Sequence, residues 1–346
     1  MRPVGVDLRQ LLELDLGHGT GTLRNGDATN RVRAAVEAVA QARPRGRRWT
    51  DILERPVFLA SVLISPAVIF IGALVAAPLG LAVWLSFTNA TAGSLSGKYV
   101  GLHNFRTEWS NPQFKDAVWH TFLFTVFSQV VVLLVAGLLA HALLKDFRGK
   151  WLLRFLILLP WAAPLPLSLM GWKWIFDPSY SILDWTLVHL HISGPLTAPH
   201  FLATAKWAMA SVIAVHAWRI IPFAVVIFLA GLASIPREVD DAAAIDGATG
   251  FRKFASVTLP LQLPIATVAL LFGIVFTATD MAVVYILTQG GPPPSFSTEM
   301  VTTWSYKTGV ESGSLGPGAA ISLALLPVLA VVSIGMLLFA KRTEVT

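Results

Sequence analysis

The sequence predicts an all-α integral membrane protein, with six transmembrane helices and one cytosolic helix-turn-helix loop. Three observations predict it. Of 346 residues, 55% are hydrophobic and 13% are charged, against about 45–50% apolar and about 25% charged in a soluble domain. The apolar residues gather in six stretches, each near the ~20 residues that cross a bilayer. The basic residues cluster beside alternate ends of those stretches, the bias that sets membrane orientation. The net charge of +6 lies beside apolar runs, so lipid is the expected contact and no nucleic-acid partner is. There are no cysteines, which removes disulfides and thiol chemistry without fixing a compartment.

Residues 1–55 read as a cytosolic amino-terminal arm. Val32–Ala42 (VRAAVEAVAQA) is a helix candidate that stops ahead of Pro44, because proline removes a helix donor. Arg43, Arg45, Arg47 and Arg48 follow. No basic start leads at once into a short apolar core, so no signal peptide is expected. Residues 56–346 read as the transmembrane domain. Spans are expected near Val57–Phe87, Thr121–Leu144, Leu152–Trp174, Trp207–Ser234, Pro264–Leu287 and Gly318–Ala340. The first exceeds the bilayer and has length to tilt.

Lysine and arginine near the span ends set the orientation. The arm is arginine-rich. Lys145, Arg148, Lys150 and Arg154 flank the link between spans two and three. Arg237, Arg252 and Lys253 lie between spans four and five, and Lys341 and Arg342 lie in the tail. The alternate links mix charges, as with Arg106, Glu108, Lys115 and Asp116. Both termini and the 236–264 loop are therefore expected in the cytosol of a multi-pass cell-membrane protein.

That loop begins IPREVDDAAAIDG. Pro236 suits a first helical turn, and Glu238, Asp240 and Asp241 favour a helix start electrostatically. The alanines Ala242, Ala243 and Ala244 propagate a helix and leave a small surface. Gly247 suits a left-handed stop, and Thr249 a second cap. Phe251, Phe254 and Val257 recur every three residues as an apolar stripe, and Leu259 with Pro260 is expected to end that second helix. A charged loop is ordinarily a solvated connector. Two short helices with alanine and phenylalanine faces suit docking in a groove instead.

The spacing resembles the signature of permease subunits of binding-protein-dependent ABC importers of the carbohydrate-uptake (maltose/glycerol-phosphate) type. That signature is an acid, two alanines, a glycine four residues on, then ten to an aliphatic residue, then Leu-Pro. Here these are Asp241, Ala242, Ala243, Gly247, Val257, Leu259 and Pro260. Asp stands for the usual Glu and Val for the usual Ile. WLSFTN (Trp84 to Asn89), VGLHNF (Val100 to Phe105), WRIIPF (Trp218 to Phe223) and YILTQGGP (Tyr285 to Pro292) resemble further patterns of such permeases. The resemblance covers roughly residues 57–340. It implies half of a pore, paired with a second permease subunit. It also implies two ATP-binding subunits below and an extracytoplasmic solute-binding protein above. The 236–264 loop becomes the element that couples to the ATPase.

This chain is not expected to hydrolyse ATP. The nearest thing to a phosphate loop is GHGTG (Gly17 to Gly21), which lacks the lysine such loops require. LSGK (Leu95 to Lys98) falls on the expected outer side. The histidines show no metal spacing. No cofactor is expected on this chain, and the resemblance places ATP and Mg on the partner.

Two charges lie inside spans. Arg219 is about 18 Å from the outer end of span four, and Asp280 about 24 Å from the inner end of span five, at about 1.5 Å per residue. Charges in lipid are costly and face a bundle interior or a watery cavity. They form either a structural pair or part of a substrate path with Trp218 and Tyr285. Trp172 is a further aromatic of this kind, whereas His141 and His216 read as packed within the bundle. An ion-coupled secondary transporter, with Arg219 and Asp280 as coupling charges, is the alternative. A membrane scaffold without transport is a third.

Overall fold

The computed structural model describes residues 56–94, 97–194 and 197–343. The 1–55 arm, with its Val32–Ala42 helix and its Gly17–Gly21 run, lies outside the described residues, as do Leu95 and Ser96 of LSGK. The chain divides between Ala73 and Leu74 into two units. The described part of the first is helix α1 (Pro56–Ile71) and the start of a π-helical turn, Gly72–Ala76. The second holds α2 (Ala77–Ser86), α3 (His103–Ser110), α4 (Pro112–Leu144), α5 (Lys150–Ala162), α6 (Leu165–Ile175) and α7 (Ile182–His189). It continues through α8 (Ala205–Ala233), α9 (Arg237–Ile245), α10 (Gly250–Lys253), α11 (Leu259–Ala278), α12 (Ala282–Thr288), α13 (Val301–Tyr306) and α14 (Leu315–Thr343). Among the described residues, extended pairing is limited to two isolated bridges, Thr88 with Tyr99 and Thr91 with Ser94. The fold is all-α.

Among the described residues, five helical stretches are long and apolar enough to cross a membrane: Leu59–Ser86, Pro112–Leu144, Ala205–Ala233, Gly250–Ala278 and Leu315–Arg342. A sixth arises if α5 and α6, which meet at 100°, make one broken crossing. The expected span Leu152–Trp174 thus coincides with a helix pair broken at Ala163. Pro164 disfavours helix at the residue before it, and Ala163 is extended at φ −75°, ψ 140°. Span two starts earlier than expected, at Pro112, where Asn111 accepts from the Gln113 N–H at 3.0 Å.

The expected fifth span is corrected at both ends. The helix does not stop at Leu259 and Pro260. It runs from Gly250 to Ala278, passing Pro260 through a π-helical segment, Phe254–Thr258. A proline ring clashes with the carbonyl four residues back, and here that residue, Ser256, lies in the widened turn. At the far end the helix finishes at Ala278 and α12 starts anew at Ala282. Asp280 therefore sits in a break between helices and not within one.

The core forms where α8 packs along α4 and α11 packs against both. Ala136 and Ala140 of α4 meet Ala217, Ala224 and Phe228 of α8, with Ala269 of α11, in one buried cluster. Small residues let membrane helices approach closely, which is their main route to tight packing. A second cluster joins Phe124 of α4, Leu169 of α6, Val212 and Val215 of α8, and Val283 and Val284 of α12. The Leu315–Arg342 stretch has no residue buried within the chain across its most apolar window. The WLSFTN and VGLHNF patterns prove to be one structure. The Asn104 amide donates to the Ser86 and Thr88 carbonyls at 2.9 and 2.8 Å, closing the end of α2. Phe87 and Phe105 pack alongside, with ring centroids 5.6 Å apart.

Candidate functional site

The buried charges converge. Arg219 and His216 lie three apart on α8, which places them on one helix face. Arg219 Nη2 donates to Asp280 Oδ2 at 2.8 Å, and His216 Nδ1 lies 2.8 Å from the same oxygen. Asp280 Oδ1 accepts from the Ala282 and Val283 N–H groups at 3.1 and 3.4 Å. One carboxylate thus caps α12 and ties α8 to the break after α11. His216 Nε2 lies 2.9 Å from Thr277 Oγ1, which takes a bond from Gln129 Nε2 at 2.6 Å. The Thr277 hydroxyl thereby links Gln129 to His216, and His216 links it on to Asp280. Arg219 and Asp280 form an ion pair within this network. The His216 side chain is 0% exposed and that of Asp280 is 4% exposed.

A cavity of about 330 Å³ opens beside this network, lined by Trp161, Ser168, Trp218, Arg219, Phe223 and Phe276 among others. Its size suits a small ligand, for which sites run from about 300 to 1,000 Å³. Its wall is mainly aromatic and apolar. Arg219 lines the cavity, and its Nε is buried without a hydrogen-bond partner among the described residues. Trp218 is braced edge-on by Trp172 at 5.4 Å. Of the four path candidates, Trp218, Arg219 and Asp280 come together here. Tyr285 does not: its hydroxyl donates to Glu311 Oε1 at 2.5 Å, on the far side of the Asp280 break. His216, Thr277 and Gln129 were missed as members of the network. Gln129 did carry a signal, as a lone amide inside the apolar run of α4.

The second site is the α9–α10 hairpin. Ala248 N–H bonds the Ala243 carbonyl at 2.9 Å and Gly247 N–H bonds the Ala244 carbonyl at 3.1 Å. This paired 6→1 and 5→2 arrangement ends a helix through a left-handed residue, and Gly247 has φ +70°. Thr249 takes the extended cap position but makes no side-chain cap bond. Asp240 and Lys253 pair across the hairpin at 2.9 Å. Ala243 is buried, whereas Asp241 and Ala242 face outward. Ile245 is 86% and Phe251 81% exposed. Phe254 instead packs edge-on against His141 at 5.2 Å, fixing the hairpin to the end of α4. Val257, Leu259 and Pro260 belong to the base of the long α11 crossing and not to a separate helix.

Residues 133–345 match the family described as binding-protein-dependent transport system inner membrane component. The chain belongs to that family. As an inner membrane component it shares 30% identity over 273 residues with the trehalose/maltose transport system permease protein MalF of Thermococcus litoralis, covering 78% of this chain and 89% of that one. It shares 29% identity over 294 residues with the sulfoquinovosyl glycerol transport system permease protein SmoG of Agrobacterium fabrum, covering 85% and 93%. A chain of a bacterial ABC transporter involved in the import of the acidic polysaccharide alginate has the same fold. The TM-score is 0.70 at 20% identity, over 85% of this chain and 98% of that one.

Proposed function

We propose that this chain is the permease subunit of an ATP-driven ABC importer that moves a carbohydrate or related polar solute into the cytoplasm. It forms half of a pore with a second permease subunit. Two ATP-binding subunits, which hold ATP and Mg, dock on the α9–α10 hairpin, and an extracytoplasmic binding protein delivers the solute. The observation that carries this reading is the hairpin. It closes on itself through Gly247 yet leaves Ile245 and Phe251 almost fully exposed. Exposed large apolar groups on a charged helical loop fit a partner's hydrophobic groove. The relatives named for trehalose, maltose and sulfoquinovosyl glycerol transport support a sugar-like solute, and the aromatic Trp218 cavity suits a sugar ring. ATP-driven closure of the docked subunits moves the hairpin, and α11, continuous with it from Gly250, carries that motion to the Asp280 break.

The rival of ion coupling through Arg219 and Asp280 has less support. Both Asp280 oxygens are already committed, to two side chains and two backbone N–H groups. The test is gentle purification of the complex with mass spectrometry of its members. Gly247→Trp should lose the ATP-binding subunits and ATP-driven uptake while the chain still inserts in the membrane. Retention of both by that variant sinks the reading.

A further inference from the structure

A second cavity, of about 420 Å³, lies between α12, the loop that follows it and the π-helical turn Lys307–Glu311. It is lined by Tyr285, Gln289, Phe296, Lys307 and Glu311 among others. It lies beyond the Asp280 break, at the opposite end of α11 from the α9–α10 hairpin, and no residue is shared with the Trp218 cavity. Its composition is that of a hydroxyl-rich ligand site. Phe296 offers an exposed ring face, and the Lys307 ammonium stands 5.7 Å from that ring's centroid. Glu311 is held by the Tyr285 hydroxyl at 2.5 Å and keeps further acceptor positions, since a carboxylate accepts about four bonds. Gln289 and Phe296 are both in left-handed conformations, at φ 54° and 46°. Such strain in non-glycine residues gathers where a side chain must be aimed at a ligand.

The charge decides the ligand class. Lys307 is already ion-paired with the buried Glu299, whose second oxygen accepts from Thr303 at 2.5 Å. Glu311 adds another carboxylate, so one ammonium faces two acids. That balance repels a phosphate or sulfonate, and it leaves hydrogen-bonding groups and a ring face for an uncharged polyol.

We propose that this cavity is an outer subsite that receives a neutral sugar or glycoside before it enters the Trp218 cavity. The proposal rests on the import reading above, and its test separates the two. The chain has no cysteine, so a single Gln289→Cys reports on the cavity, and Ser295→Cys serves as a control in the same loop. The assembled complex is labelled with an impermeant maleimide from the outer face of right-side-out vesicles, without binding protein. Maltose or trehalose at ten times a dissociation constant of about 1 mM should slow labelling of Gln289→Cys roughly tenfold, with Ser295→Cys unchanged. Phe296→Ala in the same chain should abolish the protection and Phe296→Trp should keep it. Equal protection by sn-glycerol 3-phosphate overturns the neutral class. Protection by binding protein alone overturns the subsite in favour of a docking face. No protection in vesicles that show ATP-driven sugar uptake once binding protein is added overturns the subsite and leaves the import reading standing, whereas no protection and no uptake even with binding protein overturns both.

Discussion

Among the described residues, the Asp280 carboxylate carries four hydrogen bonds, from two side chains and two backbone N–H groups. It caps α12 with one oxygen and holds Arg219 and His216 with the other. Breaking a buried pair by removing one partner costs about 3–5 kcal/mol, because the other charge is left uncompensated. Asp280→Asn and Arg219→Gln should therefore each lower the thermal midpoint in detergent markedly. The double variant should lose less than the sum, since neighbours in one network do not add. Additive losses would show that the two act separately. Gly273 poses a steric question at the same scale. A Cβ there runs into the Gln129 amide, whereas one at Gly335 meets nothing within 4 Å. Overpacking costs about 1–3 kcal/mol, while alanine for glycine in an open helix gains about 0.5–1 kcal/mol. Gly273→Ala should thus destabilise and Gly335→Ala should not, read as opposite shifts in thermal midpoint.

At the scale of elements, the sequence was legible wherever local chemistry was decisive. The hairpin turn followed from Gly247, because glycine alone takes φ +70° without strain. The break after α11 was not legible, since Thr279-Asp280-Met281 has neither proline nor glycine. It is held by tertiary bonds from α8, which no local pattern shows. Pro260 misled in the opposite direction, because a π-helical turn absorbed its clash and the helix continued. Tyr285 was grouped with Trp218 as an aromatic able to stack on a sugar ring, and the same break separates them. The hairpin supports a prediction that distinguishes strain from docking. Nothing lies within 4 Å of a Cβ at Gly247, so Gly247→Ala costs only the left-handed backbone, about 1–2 kcal/mol. A partner's groove adds a steric demand that grows with side-chain size. Uptake should fall modestly for Gly247→Ala and collapse for Gly247→Trp, with both chains at wild-type abundance in the membrane. Equal uptake by the two variants would show that nothing packs on that face.

For the whole molecule, orientation follows from one helix. The crossing Gly250–Ala278 has the hairpin with Arg252 and Lys253 at one end and the Asp280 break at the other. An excess of lysine and arginine holds an end in the cytosol. On the import reading the hairpin is expected inside, with the Tyr285 cavity towards the outer face and the Trp218 cavity deeper. Helix α8 ends at Ala233 just before the hairpin, so, as one crossing, it puts the chain preceding Ala205 on the expected outer side. That stretch includes Ser179, which is exposed between α6 and α7, and the hairpin includes Thr249, which is also exposed. Since the chain has no cysteine, each position can carry the only thiol. An impermeant maleimide added to right-side-out vesicles should label Ser179→Cys at once and Thr249→Cys only after the membrane is opened. In inverted vesicles the order should reverse. Ser179→Cys and Thr249→Cys labelled from the same side would mean that an even number of crossings separates them. The broken α5–α6 pair lies before Ser179, so α8 alone decides this result. Its failure would remove α8 as a span, and with it the pore that Arg219 and Trp218 are taken to line.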